Sequence, residues 1–411
     1  MSTIKPFRGY LPPPDKAGKV SSPPYDVLSS DEAREMVQNN PDSFLRIIKP
    51  EIDFTPDSAP YGDFLHQHAA ENIRDFISSG KLQQDEFSCM YLYEITMGVH
   101  TQEGIMAAVS VAEYNTGLIK KHEFTRKEKE DDRTRHIEIT NANTGPVFLT
   151  FRNDGKYQKQ IEKIKQQPSA ISFQADDNTI HRLWKISDPA SQDHLRNYFQ
   201  SIPALYIADG HHRAASASRV QKIRQDSNPN HNGNELYNYF LAVIFPHDEM
   251  QILDYNRVVK DLNGLTEKQF IDSIQTKFNL MTLSSPEKPE TRNIFSMFLN
   301  GNWYKLKAKD KILSNDLVEG LDASILQNHL LSPILGIDDP RRDDRIDFVG
   351  GIRGLAELEY RCKLDAKVAF ALHPVSITDL LSVADAGSIM PPKSTWFEPK
   401  LRSGMVARLL D

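Results

Sequence analysis

The stretch IPALYIADGHHRAASASRV, residues 202–220, changes character at one point. Positions 202–208 are apolar and rich in strand formers, whereas from Ala214 onward Ala, Ser and Arg predict a helix. Asp209 and Gly210 stand between the two. Gly210 lets the backbone turn sharply, and the N–H groups of His211, His212 and Arg213 at the new helix start can then converge on an anion such as phosphate. Arg213 can add a bidentate guanidinium contact. Asp209, at the strand end, can hold a magnesium ion or polarise a hydroxyl. The plainer reading makes Asp209 a helix N-cap and the histidines a polar helix start, but the cluster is denser than capping requires. Zinc chelation by both histidines is disfavoured, because adjacent helical residues diverge by about 100°.

Upstream, LIKKHEFT (118–125) places His122 and Glu123 after a strand-like run and before Thr125 and Arg126. A carboxylate beside Lys121 and His122 can be held ionised and act as a general base toward a hydroxyl; the ordinary alternative is a solvent-facing strand end. The run RKEKEDDRTRH (126–136) reads as a solvated loop or helix from which Arg133 and Arg135 can reach a polyanionic ligand. VGGIRG (349–354) lacks the spacing of a dinucleotide fingerprint and marks a turn. MPPKSTWFEPKLRSG (390–404) groups Lys393, Lys400 and Arg402 with Ser394 and Thr395 in a loop-like stretch with the make-up of a lid. No segment matches GxxxxGK[ST] or the protein-kinase signatures, so phosphate chemistry here would use neither.

The remaining text predicts an α+β protein in three stretches, 1–114, 115–248 and 249–411. In the first, Ser29 and Glu32 have capping-box spacing for a helix starting near Ser30, FLRII (44–48) reads as a strand, and 61–79 has helical spacing. CMYLYEI (89–95) and IMAAVSVAEY (105–114) read as a hairpin. In the second, GPVFLTF (145–151) predicts a strand and KYQKQIEKIKQ (156–166) a helix. In the third, LNGLTEKQFIDSIQTKF (262–278) and ITDLLSVADAG (377–387) read as helices, the latter stopped by Gly387, while NWYKLKA (302–308) and KVAFALHPV (367–375) read as strands. Residues 225–234 predict an exposed loop.

The chain has 411 residues, and its 56 acidic against 49 basic side chains give a net charge of −7. That sign argues against a dedicated nucleic-acid binder and makes any phosphate site local. The opening MSTIKPFRGYLPPPDKAGK has no unbroken apolar run, so no export signal is read and a cytoplasmic location is expected. Apolar stretches fall short of the roughly 18 to 20 residues a membrane helix needs. Cys89 and Cys362 are too few for a disulfide framework or a thiolate zinc cluster and are expected to be apolar filler.

Taken together, PPYDVLS (23–29), NPDSFLRIIKPE (40–51), KKHEFT (120–125), IADGHHRAASA (207–217), DYNRVV (254–259) and MPPKSTWFEPKL (390–401) resemble the family catalogued as domain of unknown function 1015. The resemblance implies a ParB/sulfiredoxin-like centre over 115–248, flanked by mixed α/β segments, and a kinship with free serine kinases. It implies phosphoryl transfer to free L-serine, giving O-phospho-L-serine from ATP, ADP or pyrophosphate with Mg2+. Glu123 would be the base. Gly210, His211, His212, Arg213 and Arg133 would hold phosphate, with His212 also an acid-base group. Asp209 would contact the metal or serve as a second acid-base group, and His122 and Thr125 would touch the substrate. The same resemblance leaves two alternatives, a ParB-like nucleotide-dependent DNA-binding protein and a phosphoserine phosphatase using the same site. The partners expected are small molecules, with neither nucleic acid nor membrane among them.

Overall fold

The hairpin expected over 89–114 forms the middle of a nine-stranded sheet in the computed structural model, which describes residues 2–56 and 62–411. Met90–Met97 and His100–Ser110 pair antiparallel around a turn with Gly98 at φ +60°, a conformation glycine adopts without steric cost. The second strand ends earlier than its apolar text suggests. Ser110 caps a short helix, Val111–Asn115, its hydroxyl accepting from the Glu113 N–H at 3.4 Å, so positions 111–114 are helical.

The chain divides into two compact units. The first comprises Met1–Lys121, Thr125–Met250 and Pro399–Asp411; the second comprises His122–Phe124 and Gln251–Glu398. In the first unit the sheet runs Ile119–Lys120, Leu205–Asp209, Val147–Phe151, Tyr239–Pro246, His100–Ser110, Met90–Met97, Ile180–Ile186 and Ile171–Gln174, with Ile4–Lys5 added beside His100–Ser110. Leu205–Asp209 runs parallel to Ile119–Lys120, and Val147–Phe151 runs parallel to Tyr239–Pro246; the other pairs are antiparallel. Val147–Phe151 is buried at every position, as a strand covered on both faces requires, and reads as an apolar run broken only by Thr150, whose hydroxyl donates to the Phe245 carbonyl at 3.0 Å.

Around this sheet the helices fall largely where the sequence puts them. The capping box of Ser29 and Glu32 opens Ser30–Val37, with Ser29 Oγ accepting from Glu32 N at 3.1 Å and Glu32 Oε2 from Ser29 N at 2.8 Å. The helical spacing over 61–79 becomes Asp63–Ser78; position 61 lies outside the described residues. Tyr157–Ile164 and His211–Ser227 are helical, and the charged run becomes the helix Lys127–Thr140, whose buried side holds Thr134, His136, Ile137 and Thr140. One element departs from expectation: Leu45–Ile48, read as a strand, is a helical turn running into the 3-10 helix Pro50–Asp53. Phe44, Leu45, Ile47 and Ile48 are all buried in a satellite core with Ile73 and Phe76. A run as short as Leu45-Arg46-Ile47-Ile48 shows no period, and the burial of its three apolar side chains suits a helical turn as well as a strand. Residues after Ser227 form the exposed loop expected near 225–234.

The second unit carries a six-stranded, wholly antiparallel sheet ordered Phe278–Leu283, Asn302–Ala308, Ile294–Leu299, Val368–Ala371, Tyr255–Val259 and Ile346–Gly350. One face packs Val259, Phe295, Met297, Leu306 and Phe370 against Phe270, Leu330 and Leu331; the other packs Val258, Phe298, Trp303 and Ala369 around Leu358 of the helix Gly354–Leu364. The helix Ile377–Asp385 has a Ser376 capping box and stops, as expected, at Gly387 with φ +65°. The fold is therefore α+β. Cys89 is buried, Cys362 is partly buried, and both are free. Among the described residues no helix is long and apolar enough to cross a membrane.

Candidate anion-binding corner

The predicted strand, turn and helix form as Leu205–Asp209, Gly210 and His211–Ser227. The ladder to Val147–Phe151 shifts register between Ile207 and Asp209, which frees the strand end to turn. Gly210 takes φ +91° and ψ +29°, the left-handed region. The helix then lies on the sheet through Ala214, Ala215, Ser216, Ala217 and Val220, small side chains that allow close approach. The Ala-rich text after Gly210 thus serves packing, and the helix start is fixed at the sheet edge.

Charge at the corner is closely matched. Asp209 Oδ1 accepts from the Gly210 N–H at 2.8 Å and Oδ2 from Lys400 Nζ at 2.9 Å. Burial alone would push this carboxyl up; Lys400 and Arg213 oppose it and hold the group well below the usual carboxylate range. Arg213 donates to the Pro146 carbonyl and, at 3.4 Å, to both oxygens of Asp26. Its burial works to lower its pKa, but Asp26 and Asp209 outweigh that and raise it.

Two guanidiniums lie over the Tyr25 ring, Arg133 at 4.4 Å and Arg213 at 5.7 Å from its centroid, contacts favoured by the electron-rich ring face. Burial first, then Asp26, pushes its phenol up to about 12. Beside these groups is a cavity of about 30 Å³ lined by Tyr25, Arg133, His136, Thr144 and Arg213. That volume admits a water or two and no phosphate. An anion at the corner would therefore be held by the helix start.

The other residues singled out in the sequence have identifiable work. His212 Nε2 accepts from the Arg126 N–H at 3.0 Å, which puts the ring proton on Nδ1 and fastens the start of Lys127–Thr140 to the corner. Thr125 Oγ1 donates to Glu130 Oε2 at 2.8 Å, bracing the same helix. Arg133 pairs with Asp132 at 2.6 Å and donates to the Ile48 carbonyl at 3.4 Å. His211 is buried. His122 and Glu123 belong to the second unit, where the His122 carbonyl accepts from Met390 N at 2.8 Å and Glu123 is half-buried.

The structure thus gathers Asp209, Gly210, His211, His212, Arg213, Arg133 and Thr125 in the first unit. Sequence reasoning gave Tyr25, Asp26 and Lys400 no role there. Their segments, PPYDVLS and MPPKSTWFEPKL, were visible as segments. Arg213–Asp26 and Lys400–Asp209 span 187 and 191 residues, and no local pattern pairs groups so far apart.

A family model described as "Protein of unknown function (DUF1015)" matches residues 4–324, and the chain belongs to that family. No curated protein matches the chain. Among solved structures, SbnI with a C-terminal truncation from Staphylococcus aureus is similar with a TM-score of 0.37 and 12% identity, covering 71% of this chain and 82% of that one. A conserved hypothetical protein from Pyrococcus furiosus gives a TM-score of 0.35 and 12% identity, covering 73% and 93%. A free serine kinase in complex with AMP gives a TM-score of 0.35 and 12% identity, covering 72% and 86%.

Proposed function

We propose that the chain is a phosphotransferase that moves a phosphoryl group from ATP, ADP or pyrophosphate to the hydroxyl of free L-serine, giving O-phospho-L-serine. The observation that carries this reading is the Gly210 corner. A left-handed glycine opens the helix His211–Ser227 directly after an ionised Asp209, with Lys400 and Arg213 beside it. Such a helix start favours phosphate oxygens, and phosphoryl transfer asks mainly for positioning and for charge to meet the equatorial oxygens. In this reading the 115–248 stretch is the ParB/sulfiredoxin-like phosphate-binding part.

The roles follow from the chemistry. The N–H groups after Gly210 and the side chains of Arg213 and Lys400 hold the transferred group. Asp209 keeps lone pairs beyond those used by Gly210 N–H and Lys400, and as an ionised carboxylate it suits Mg2+. When bound, Mg2+ neutralises charge on the donor oxygens. Glu123 takes the proton of the serine hydroxyl as the new O–P bond forms and the bond to the leaving phosphate breaks. His212 acts through position, since its Nε2 already anchors Arg126.

The test is to incubate the purified protein with L-serine, Mg2+ and each donor in turn, and to follow phosphoserine by 31P NMR. Phosphoserine is expected with at least one donor, and Glu123→Gln is expected to lower kcat by about 100-fold or more, as loss of a general base does. Failure of every donor to give phosphoserine, or an undiminished Glu123→Gln rate, removes the reading. Release of inorganic phosphate from phosphoserine with no acceptor present would turn it into a phosphatase.

A further inference from the structure

In the second unit, Tyr255–Val259 lies between Ile346–Gly350 and Val368–Ala371, and residues 255, 257 and 259 share one face of the sheet. Val259 enters the core with Ile346 and Phe370. Two residues earlier, where strand alternation calls for another apolar side chain, stands Arg257, 3% exposed. Its guanidinium donates to the carbonyls of Tyr255 and, at 3.4 Å, Pro392, and lies 5.3 Å from the Phe348 ring centroid. Among the described residues no carboxylate acts on it; burial dominates, and its pKa is pushed down to about 10. A buried cation without a counter-ion is costly, and proteins usually avoid it.

Arg408, in the first unit, shows how such a side chain is settled by structure alone. It is equally buried and also lacks a carboxylate, but its guanidinium is clamped by three oxygens, Asn143 Oδ1 at 3.2 Å, the Tyr239 carbonyl at 2.9 Å and the Leu236 carbonyl at 2.7 Å. Arg257 has two carbonyls and opens instead on a cavity of about 420 Å³, within the size range of small-molecule sites. Glu319 and Asp338 also line that cavity, as do Asp339 and Arg341, which pair with each other at 2.9 Å. Glu319 accepts from Asn328 Nδ2 at 2.6 Å and Asp338 from Ser332 Oγ at 2.6 Å, so each carboxylate is held in place by a neutral donor and keeps its charge uncompensated by those contacts. With Asp339 and Arg341 paired to each other, the buried Arg257 and the two remaining carboxylates on one lining suit a zwitterion. Phosphate would meet the carboxylates as like charges.

We propose that this cavity binds a small α-amino acid, whose carboxylate pairs with Arg257 and whose ammonium group is received by Glu319 and Asp338. The choice of L-serine as that amino acid rests on the phosphotransferase reading above. Phe124, the chain neighbour of Glu123, lines the same cavity.

Isothermal titration of the full chain tests the proposal without any phosphoryl donor. L-serine is expected to bind, whereas ethanolamine, which lacks the carboxylate, is expected to bind at least 10-fold more weakly. Arg257→Met is expected to lose at least 10-fold in L-serine affinity, and Arg257→Lys to lose less. The proposal is overturned if L-serine fails to bind, if ethanolamine binds as well as L-serine, or if a folded Arg257→Met binds L-serine like wild type. The comparison of ligands on wild-type protein decides the matter even if the variants do not fold. The two readings separate cleanly. L-serine binding through Arg257 without phosphoserine formation leaves the pocket standing and removes the kinase. Phosphoserine formation with an unchanged KM for L-serine in Arg257→Met does the reverse.

Discussion

Arg213 and Arg257 are both cations largely withdrawn from water, and their surroundings treat the charge in opposite ways. Arg213 meets Asp26 and Asp209, which raise its pKa; Arg257 meets carbonyls and an aromatic ring, and burial lowers its pKa to about 10. The first charge is balanced by the fold. The second is left for something that the fold does not contain. The contrast teaches that a buried cation can await a ligand from two starting points, one already paired within the fold and one unpaired. What distinguishes the two sites is whether the chain supplies the counter-ion.

The sharpest way to break that contrast is to remove each charge in turn. Arg213→Met leaves Asp26 and Asp209 short of a partner and should cost about 2 to 3 kcal/mol in urea-induced unfolding, at or below the low end for a buried pair because Asp26 is exposed. Arg257→Met removes an uncompensated charge from an apolar face and should leave stability in the absence of ligand unchanged or improved. Equal losses in the two variants would mean that Arg257 is held by the fold as firmly as Arg213, and the contrast would fail.

The carboxylates repeat the comparison with a pH readout. Asp209, in the first unit, is held below the usual range by Lys400 and Arg213 against the opposing effect of burial. Its contribution is present above the ordinary value near 3.9 and is lost only as pH falls below that. Asp322, in the second unit, is pushed up to about 6 by burial, opposed in part by the Asn293 N–H that donates to its Oδ1 at 2.8 Å. Because its folded pKa is raised, its contribution is fully present below about 3.9 and is lost as pH rises through about 6. From this group alone, the second unit should lose on the order of 2 kcal/mol between pH 4 and pH 7.5, and Asp322→Asn should flatten that slope. Thermal melts of wild type and variant across this window check it; parallel curves would exclude Asp322 as the cause.

How much of this was readable beforehand follows from the range of each signal. The turn at Gly210 and the capping box at Ser29 were legible because glycine and a spaced Ser/Glu pair act within a few residues. The helical turn Leu45–Ile48 and the helix Val111–Asn115 were not, since apolar runs this short carry no period and tertiary burial chose their conformation. At the corner, the helix start was legible while the counter-ions were not, because Lys400 reaches Asp209 across 191 residues. Arg257 was a different kind of miss. DYNRVV displays a charged residue at an alternating core position, and that break in pattern was in plain view.

The smallest effect separates backbone from charge at the corner itself. Gly210→Ala would place a Cβ 3.5 Å from Val147 Cα, an ordinary contact, so the cost comes from φ +91° and not from a clash. About 1 to 2 kcal/mol is expected, the penalty of the left-handed conformation for a residue with a side chain. The ion pairs of Asp209 and Arg213 should survive, since neither uses the glycine side of the chain beyond the Gly210 N–H. Urea unfolding measures the cost, and the acid limb of the stability curve reports on Asp209. If the substitution also moves that limb, the carboxylate's low pKa depends on the turn. If stability falls and the limb stays in place, Lys400 and Arg213 set the charge independently of the backbone that presents it.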